Sequence, residues 1–315
     1  MMDIVKKATR EGYGDALVKW ADEFPDMVVL DADLAGSTKT GQFKKAHPER
    51  FVDCGVAEAD MTGIAAGLAT TGKIPVISSF AVFATGRNYD QIRNSVAYPR
   101  LNVKIGGTHA GVTVGEDGAS HQALEDIALM RALPGMTVIS PADYAESIVA
   151  VKAALEHNGP VYMRFGRAAV PVVTDKLPGY KFELGKGSII KEGKDVSIFA
   201  TGILVAAAID AAEMLKDAGI DAEIINIATI KPLDRELVVN SARKTGMVVT
   251  AEEHSIIGGL GSAVCEALSE DAPTKVYRIG VRDEFGESGS AGDLIKKYGF
   301  DGQGVYETVR KFLGK

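Results

Sequence analysis

Short, continuous apolar runs alternate along the chain with longer stretches in which apolar positions recur every three or four residues. "DMVVLDADL" (26–34), "IPVISSF" (74–80), "LNVKIGG" (101–107), "MTVISP" (136–141) and "PVYMRF" (160–165) are runs of the first kind. They predict strands buried on both faces. Residues 12–24, 58–71, 87–97, 121–132 and 142–157 carry the helical period between them. Alternation of this kind predicts a mainly parallel sheet with helices on both sides. A second series follows: "VSIFAT", a helix over 203–218, "DAEIINI", a helix over 234–244, "GMVVTAEE", a helix over 259–269, and "KVYRIGV". The prolines and glycines of "AAVPVVTDKLPGYKFELGKG" (168–187) separate the two series and read as a linker. The expected fold is α/β, with two doubly wound domains over 1–180 and 181–315. No short-period repeat interrupts the pattern.

One helix breaks its own pattern. In "GVAEADMTGIAAGLA" (55–69), Met61, Ile64, Ala65 and Leu68 fall on one predicted buried face, and Glu58 lies one turn earlier on that face. The carboxylate either complements the helix dipole or is a buried group with a chemical role. Other polar and aromatic residues gather where parallel sheets bind ligands, at the carboxyl ends of the strands. Asp33 and Ser37 follow the first strand, Phe80 and Phe83 the second and His109 the third, while Arg164 ends the last. Phe80 and Phe83 suit either core packing or stacking on a heteroaromatic ring.

The richest segment is "GGTHAGVTVGEDGASHQALED" (106–126), with two of the five histidines, an acidic pair and glycines at 106, 107, 111, 115 and 118. Glycines allow close backbone approach to a ligand, and histidines exchange protons near neutral pH. Asp117 is able to accept from hydroxyls. A long loop whose Ser120 caps a helix beginning at His121 is the alternative. Arg10, and Arg164 and Arg167 of "MRFGR", bring the forked guanidinium donors that suit phosphate, or serve as salt-bridged surface residues. "EEHSIIGGLGSAV" (252–264) reads as a strand-to-helix turn rather than a dinucleotide fingerprint, and His254 receives no catalytic role.

Composition narrows this picture. A net charge of −7 argues against broad nucleic-acid or acidic-membrane binding. The two cysteines, Cys54 and Cys265, give neither a disulfide framework nor metal-ligand spacing, and a reducing compartment fits. "MMDIVKKATREGYG" lacks a leader's apolar core, and "VSIFATGILVAAAI" (196–209) is too short to span a membrane. A cytoplasmic protein without a metal site of its own is expected.

Taken together, "ATR" (8–10), "DADLAGS" (31–37), "GVAEADMTGIAAGLA", "SSFAVFATG" (78–86), "THAGVTVGEDGASHQ" (108–122) and "TIKPLD" (229–234) resemble transketolase in order and spacing. The resemblance covers essentially the whole chain. It implies a pyrimidine-binding domain followed by a transketolase C-terminal domain, with thiamine diphosphate as cofactor. No GDG triplet of the pyrophosphate domain is present. The chain therefore resembles the C-terminal subunit of a split transketolase. Its implied partner is a separate N-terminal, pyrophosphate-domain chain that mainly holds the magnesium or other divalent ion, in a two-plus-two heterotetramer. The implied reaction moves a two-carbon ketol unit between sugar phosphates, as in the pentose phosphate pathway.

By position, the resemblance implies that Glu58 meets N1′ of the aminopyrimidine, that Phe80 and Phe83 line that ring, and that Asp33 lies near the cofactor at the subunit interface. His109, Asp117 and His121 face the sugar, with the two histidines moving protons. Arg10, Ser37, His109 and Arg164 surround its phosphate. Gly86 stands where a further aromatic is common, so either Tyr89 compensates or the pocket is more open. A deoxyxylulose-phosphate synthase-like protein, a 2-oxo-acid dehydrogenase β-type subunit and a non-catalytic regulatory subunit are the rival readings.

Overall fold

The structure is a computed structural model and describes residues 5–315. Met1–Ile4, the start of the segment tested for a leader, lie outside the described residues. In chain order the strands are β1 (Lys6–Ala8), β2 (Met27–Asp31), β3 (Phe51–Asp53), β4 (Ile74–Phe80), β5 (Lys104–Thr108), β6 (Thr137–Ile139), β7 (Val161–Arg164) and β8 (Ala169–Pro171). They continue with β9 (Ser188–Lys191), β10 (Val196–Ala200), β11 (Ala222–Asn226), β12 (Thr229–Lys231), β13 (Met247–Ser255) and β14 (Lys275–Val281).

Seven strands form the first sheet in the order β3-β2-β4-β5-β7-β6-β12, all parallel except β12. The second sheet runs β14-β13-β10-β11-β9, with β9 antiparallel at one edge. The doubly wound α/β architecture is thus present in both halves. The two halves share one strand: β12, from beyond the linker, pairs with β6 of the first sheet, Thr229 opposite Ile139.

Two predicted helices are shorter than their periodicity suggests. The one expected from His121 begins at Asp126, because residues 109–125 form a loop around a 3-10 turn, Val112–Val114. The one expected over 87–97 is a short turn, Tyr89–Gln91, running into a π-helix, Ile92–Ala97. Helix Glu58–Thr70 is rotated slightly from its predicted phase: it buries Glu58, Met61, Thr62, Ala65 and Ala66 and leaves Ile64 exposed. Among the described residues no helix is long and apolar enough to cross a membrane.

Register sets the site. Ser78, Ser79 and Phe80 at the end of β4 lie opposite Gly106, Gly107 and Thr108 of β5, and Gly107 lies opposite Arg164 of β7. The segments that follow these strands therefore open at one edge of the first sheet.

Candidate active site

Glu58 begins its helix, only 4% exposed. Ser79 Oγ and an Arg87 guanidinium nitrogen both approach Oε1, each at 3.4 Å. Both contacts are long beside the 2.7–2.9 Å typical of strong charge-assisted bonds. A buried carboxylate held this loosely has unused acceptor capacity, and leaving it so is costly.

Two phenylalanines form a wall next to it. Phe80 and Phe83 stack with centroids 6.0 Å apart at 15°. His109 stacks on Phe80 at 3.8 Å, and His121 meets Phe83 edge-on at 5.3 Å. Arg87 covers Phe83, its guanidinium carbon 4.0 Å from the ring centroid. Tyr89 does not compensate for Gly86: its hydroxyl points to Leu129 O at 3.4 Å and its ring packs into the core. The guanidinium of the next residue occupies that face instead.

His109 is held in the left-handed region, with φ 56°. Its Nδ1 lies 3.0 Å from Thr108 Oγ1, and Arg10 donates to Nε2 at 3.1 Å. Burial, followed by the positive charges of Arg10, Arg167 and Lys39, pushes its pKa down to about 3. The ring is therefore neutral at pH 7. Because Arg10 has only donors, Nε2 must present its lone pair, which assigns the proton to Nδ1.

Arg10 also donates to Ser37 O at 2.9 Å, while its buried Nε has no partner. Ser37 is set by the loop after β2. That loop is organised by Asp31, a buried residue that sequence reading passed over. Its carboxylate accepts from Leu34 N at 2.6 Å, Thr38 Oγ1 at 2.7 Å and Thr40 Oγ1 at 2.8 Å. Lys39 forms no ion pair among the described residues, and Arg167 pairs with exposed Glu116 at 2.9 Å. Three cations thus converge on one neutral imidazole with little anionic compensation, an arrangement that favours an anionic ligand.

Arg164 is not part of this group. It is 6% exposed, and its guanidinium donates to Asp126 Oδ2 at 2.8 Å, Ala123 O at 3.3 Å and Glu253 O at 2.8 Å. With these donors engaged inside the protein it clamps Asp126 to the second half, whereas Arg167, three residues on, lies partly exposed against Val114 O and Glu116. The signal was in the spacing: Arg164 is still in β7, whereas Arg167 lies beyond the strand. Asp33, in the left-handed region with φ 62°, and Asp117 are both exposed, and neither side chain is hydrogen-bonded among the described residues. Among the described residues no three His, Cys, Asp or Glu side chains cluster as metal ligands.

Residues 5–173 match the transketolase pyrimidine-binding domain, and residues 185–305 match the transketolase C-terminal domain. A solved split-gene transketolase, an inactive β4 tetramer, is 56% identical with a TM-score of 0.89, over 96% of this chain and 97% of that one. A Methanocaldococcus jannaschii chain provisionally named a transketolase C-terminal section is 50% identical over 99% of this chain and 98% of its own length. The 6-deoxy-6-sulfo-D-fructose transketolase subunit of a Clostridium species is 47% identical, over 96% and 93% respectively. Human transketolase is 37% identical over 98% of this chain, which spans 50% of the human protein.

Proposed function

The chain belongs to the transketolase family, and on that premise we propose that it is the pyrimidine-side subunit of a two-chain, thiamine-diphosphate-dependent transketolase. The observation that carries the proposal is the pairing of a loosely held buried carboxylate, Glu58, with an aromatic wall that leads to a cation-rich histidine pocket. Relatives matched over nearly their whole length include a split-gene transketolase chain and one named a C-terminal section, which supports a separate chain for the remaining half. A two-plus-two assembly and a divalent ion held by the other chain complete the proposal.

The residues fit the cofactor's pyrimidine. Phe80 and Phe83 supply flat apolar faces, and Glu58 supplies an acceptor with spare capacity beside them. When bound, thiamine diphosphate supplies the carbanion chemistry that breaks and makes the carbon–carbon bond. Glu58 shares a proton with the pyrimidine's ring nitrogen, its role in general acid–base catalysis. Asp33, exposed on the loop after β2, is assigned to the interface with the other chain. A substrate hydroxyl reaches the Nε2 lone pair of the neutral His109 only by displacing Arg10, so His109 serves to position the sugar, and His121, against Phe83, serves as the proton carrier. Asp117 reads a sugar hydroxyl. Arg10, Lys39 and Arg167 hold the tetrahedral anion at the far end of the sugar, so remote binding positions the reacting carbonyl.

Transfer between sugars with a phosphate end is the expected reaction. A sulfonate end offers similar recognition chemistry, and the Clostridium relative's name specifies such a sugar. The test is to mix this chain with its pyrophosphate-domain partner, thiamine diphosphate and magnesium. Xylulose 5-phosphate with ribose 5-phosphate, the sulfo-sugar donor and pyruvate are then compared. Two-carbon transfer that needs both chains supports the proposal. Pyruvate-only activity, or full activity from this chain alone, overturns it.

A further inference from the structure

Both site histidines flank one loop, residues 109–125 between β5 and helix Asp126–Ala132. The first half ties it at its mouth, where Ala110 N donates to Phe165 O at 3.1 Å and Gly111 N to Ala123 O at 3.0 Å, and on its outer side, where Arg167 donates to Val114 O and to Glu116. The buried side of the middle is held from the other domain. Glu253, on β13, sends its carboxylate across the domain boundary, where Thr113 N donates to it at 2.6 Å. The group is 3% exposed. Gly111, with φ 82°, makes its room: a Cβ there would lie 2.2 Å from the Glu253 carboxyl carbon.

The neighbouring residues on β13 do different work. Glu252 accepts from Leu260 N and Gly261 N at 2.7 and 2.8 Å, capping the helix of its own domain. The backbone carbonyl of Glu253 accepts from Arg164, whose guanidinium also holds Asp126 and Ala123 O, the far end of the same loop. A second tie runs from Gln122 Nε2 to Glu287 O at 2.9 Å. The loop is thus gripped at its centre and at its end by the second domain. Burial pushes the Glu253 carboxyl up to about 7, even with Arg164 nearby, so this is a costly group to spend on packing alone.

We propose that Glu253 is a positioning residue through which the second domain sets the histidine-bearing loop against Phe80 and Phe83, giving that domain a part in the active site and not only in assembly. The catalytic consequence rests on the transketolase reading above; the loop's dependence on Glu253 does not.

The experiment measures hydrogen–deuterium exchange in the full chain for Glu253→Ala, Glu253→Asp and Glu253→Gln. The aspartate is shorter by one methylene and withdraws the acceptor, while the glutamine retains an acceptor for Thr113 N. Exchange over 110–123 rises about tenfold in the alanine and aspartate variants and stays near wild type in the glutamine variant. Exchange in β4 and helix Glu58–Thr70 is unchanged. In the assembled enzyme, KM for the sugar phosphate rises by a similar factor while the apparent affinity for thiamine diphosphate holds. Unchanged loop exchange in the alanine and aspartate variants overturns the proposal, as does loosening spread evenly over both domains. If the wild-type assembly transfers nothing, the functional reading fails by itself and the exchange data still decide this one.

Discussion

Glu58 and Glu253 are both nearly sealed from solvent, one in each half of the molecule, at 4% and 3% exposure. Glu58 has two side-chain contacts at 3.4 Å, and among the described residues no backbone amide donates to its carboxylate. Glu253 has a backbone amide at 2.6 Å, on a loop shaped to admit it. Buried acceptors are normally satisfied from within the protein, so the exception is informative. The first half leaves a polar group free at the edge of its sheet, where ligands meet parallel strands; the second half spends an equivalent group on holding the surroundings still.

The largest expected effect breaks that contrast most directly. Glu58→Gln should lower two-carbon transfer by the assembled enzyme about 10³-fold or more, the range for a lost acid–base group. Its thermal midpoint should stay close to wild type, since little in the fold depends on that carboxylate. Steady-state rates and a melting curve check both halves of the statement; near-normal turnover would remove Glu58 from the chemistry.

The two arginines sharpen the same division. Arg164→Ala leaves Asp126 buried without its cation and should cost about 3–5 kcal/mol in unfolding free energy, measured by denaturant titration. Arg10→Ala should instead leave the fold largely intact and raise KM for a phosphorylated sugar about 10–100-fold, the value of a hydrogen bond to a charged group. If the outcomes were exchanged, the assignment of phosphate contact to Arg10 and Arg167 rather than Arg164 would be reversed.

How far the chain announces all this depends on what each residue answers to. The strands β2, β4, β5, β6 and β7 are covered on both faces and so appear as apolar runs. β1, β3, β8 and β12 have three residues each and lie in no apolar run of that kind, whereas β6, equally short, shows because it sits within "MTVISP". β12 also crosses into the other sheet, a tertiary decision with no local mark. The phase of helix Glu58–Thr70 was nearly right because Glu58, Met61 and Ala65 share a face; Ile64, at its border, was misplaced because an apolar side chain need not be buried. Arg164 and Arg167 differ in sequence only by position, one ending the strand and the other beyond it, and what occupies Arg164, Asp126, is brought to it by folding. The buried "EEH" within β13 was a visible anomaly, three ionisable residues in the middle of a strand. Its meaning required the loop of the other domain.

A smaller effect separates the two glutamates by pH. The folded Glu253 carboxyl is raised to about 7 from its ordinary 4.5, so between these values the folded chain holds more protons than the unfolded one. Stability contributed by the neutral form is complete below pH 4.5 and is lost as pH rises through 7. The groups facing it are Arg164 from β7 and Asp126 from the following helix, with Tyr162 and His254 beside them. Glu253→Gln retains the acceptor without the titration. It should be more stable than wild type at pH 8, by up to roughly 3 kcal/mol, and flatter between pH 4.5 and 7. The residual slope sums the remaining shifted groups, with Glu146, raised to about 7, acting in the same sense and His109, lowered to about 3, in the opposite one. A variant as steep as wild type would place the cost of burial elsewhere.

The smallest expected effect tests why Glu58 is free at all. Arg87 is 52% exposed on its side chain, stacks on Phe83 and touches Glu58 at 3.4 Å. A half-exposed pair with that geometry is worth well under about 1 kcal/mol, and the stacking adds about 0.5–1 kcal/mol. Arg87→Ala should therefore change affinity for an aminopyrimidine fragment, titrated into the chain alone by calorimetry, by only about threefold. The direction discriminates. Tighter binding means that the guanidinium competes with the ring for Glu58 and Phe83; weaker binding means that it serves as the third wall in the place left by Gly86. A loss larger than about 30-fold would mean that Arg87, rather than Glu58, dominates recognition of the ring, and the difference between the two buried glutamates would no longer explain the site.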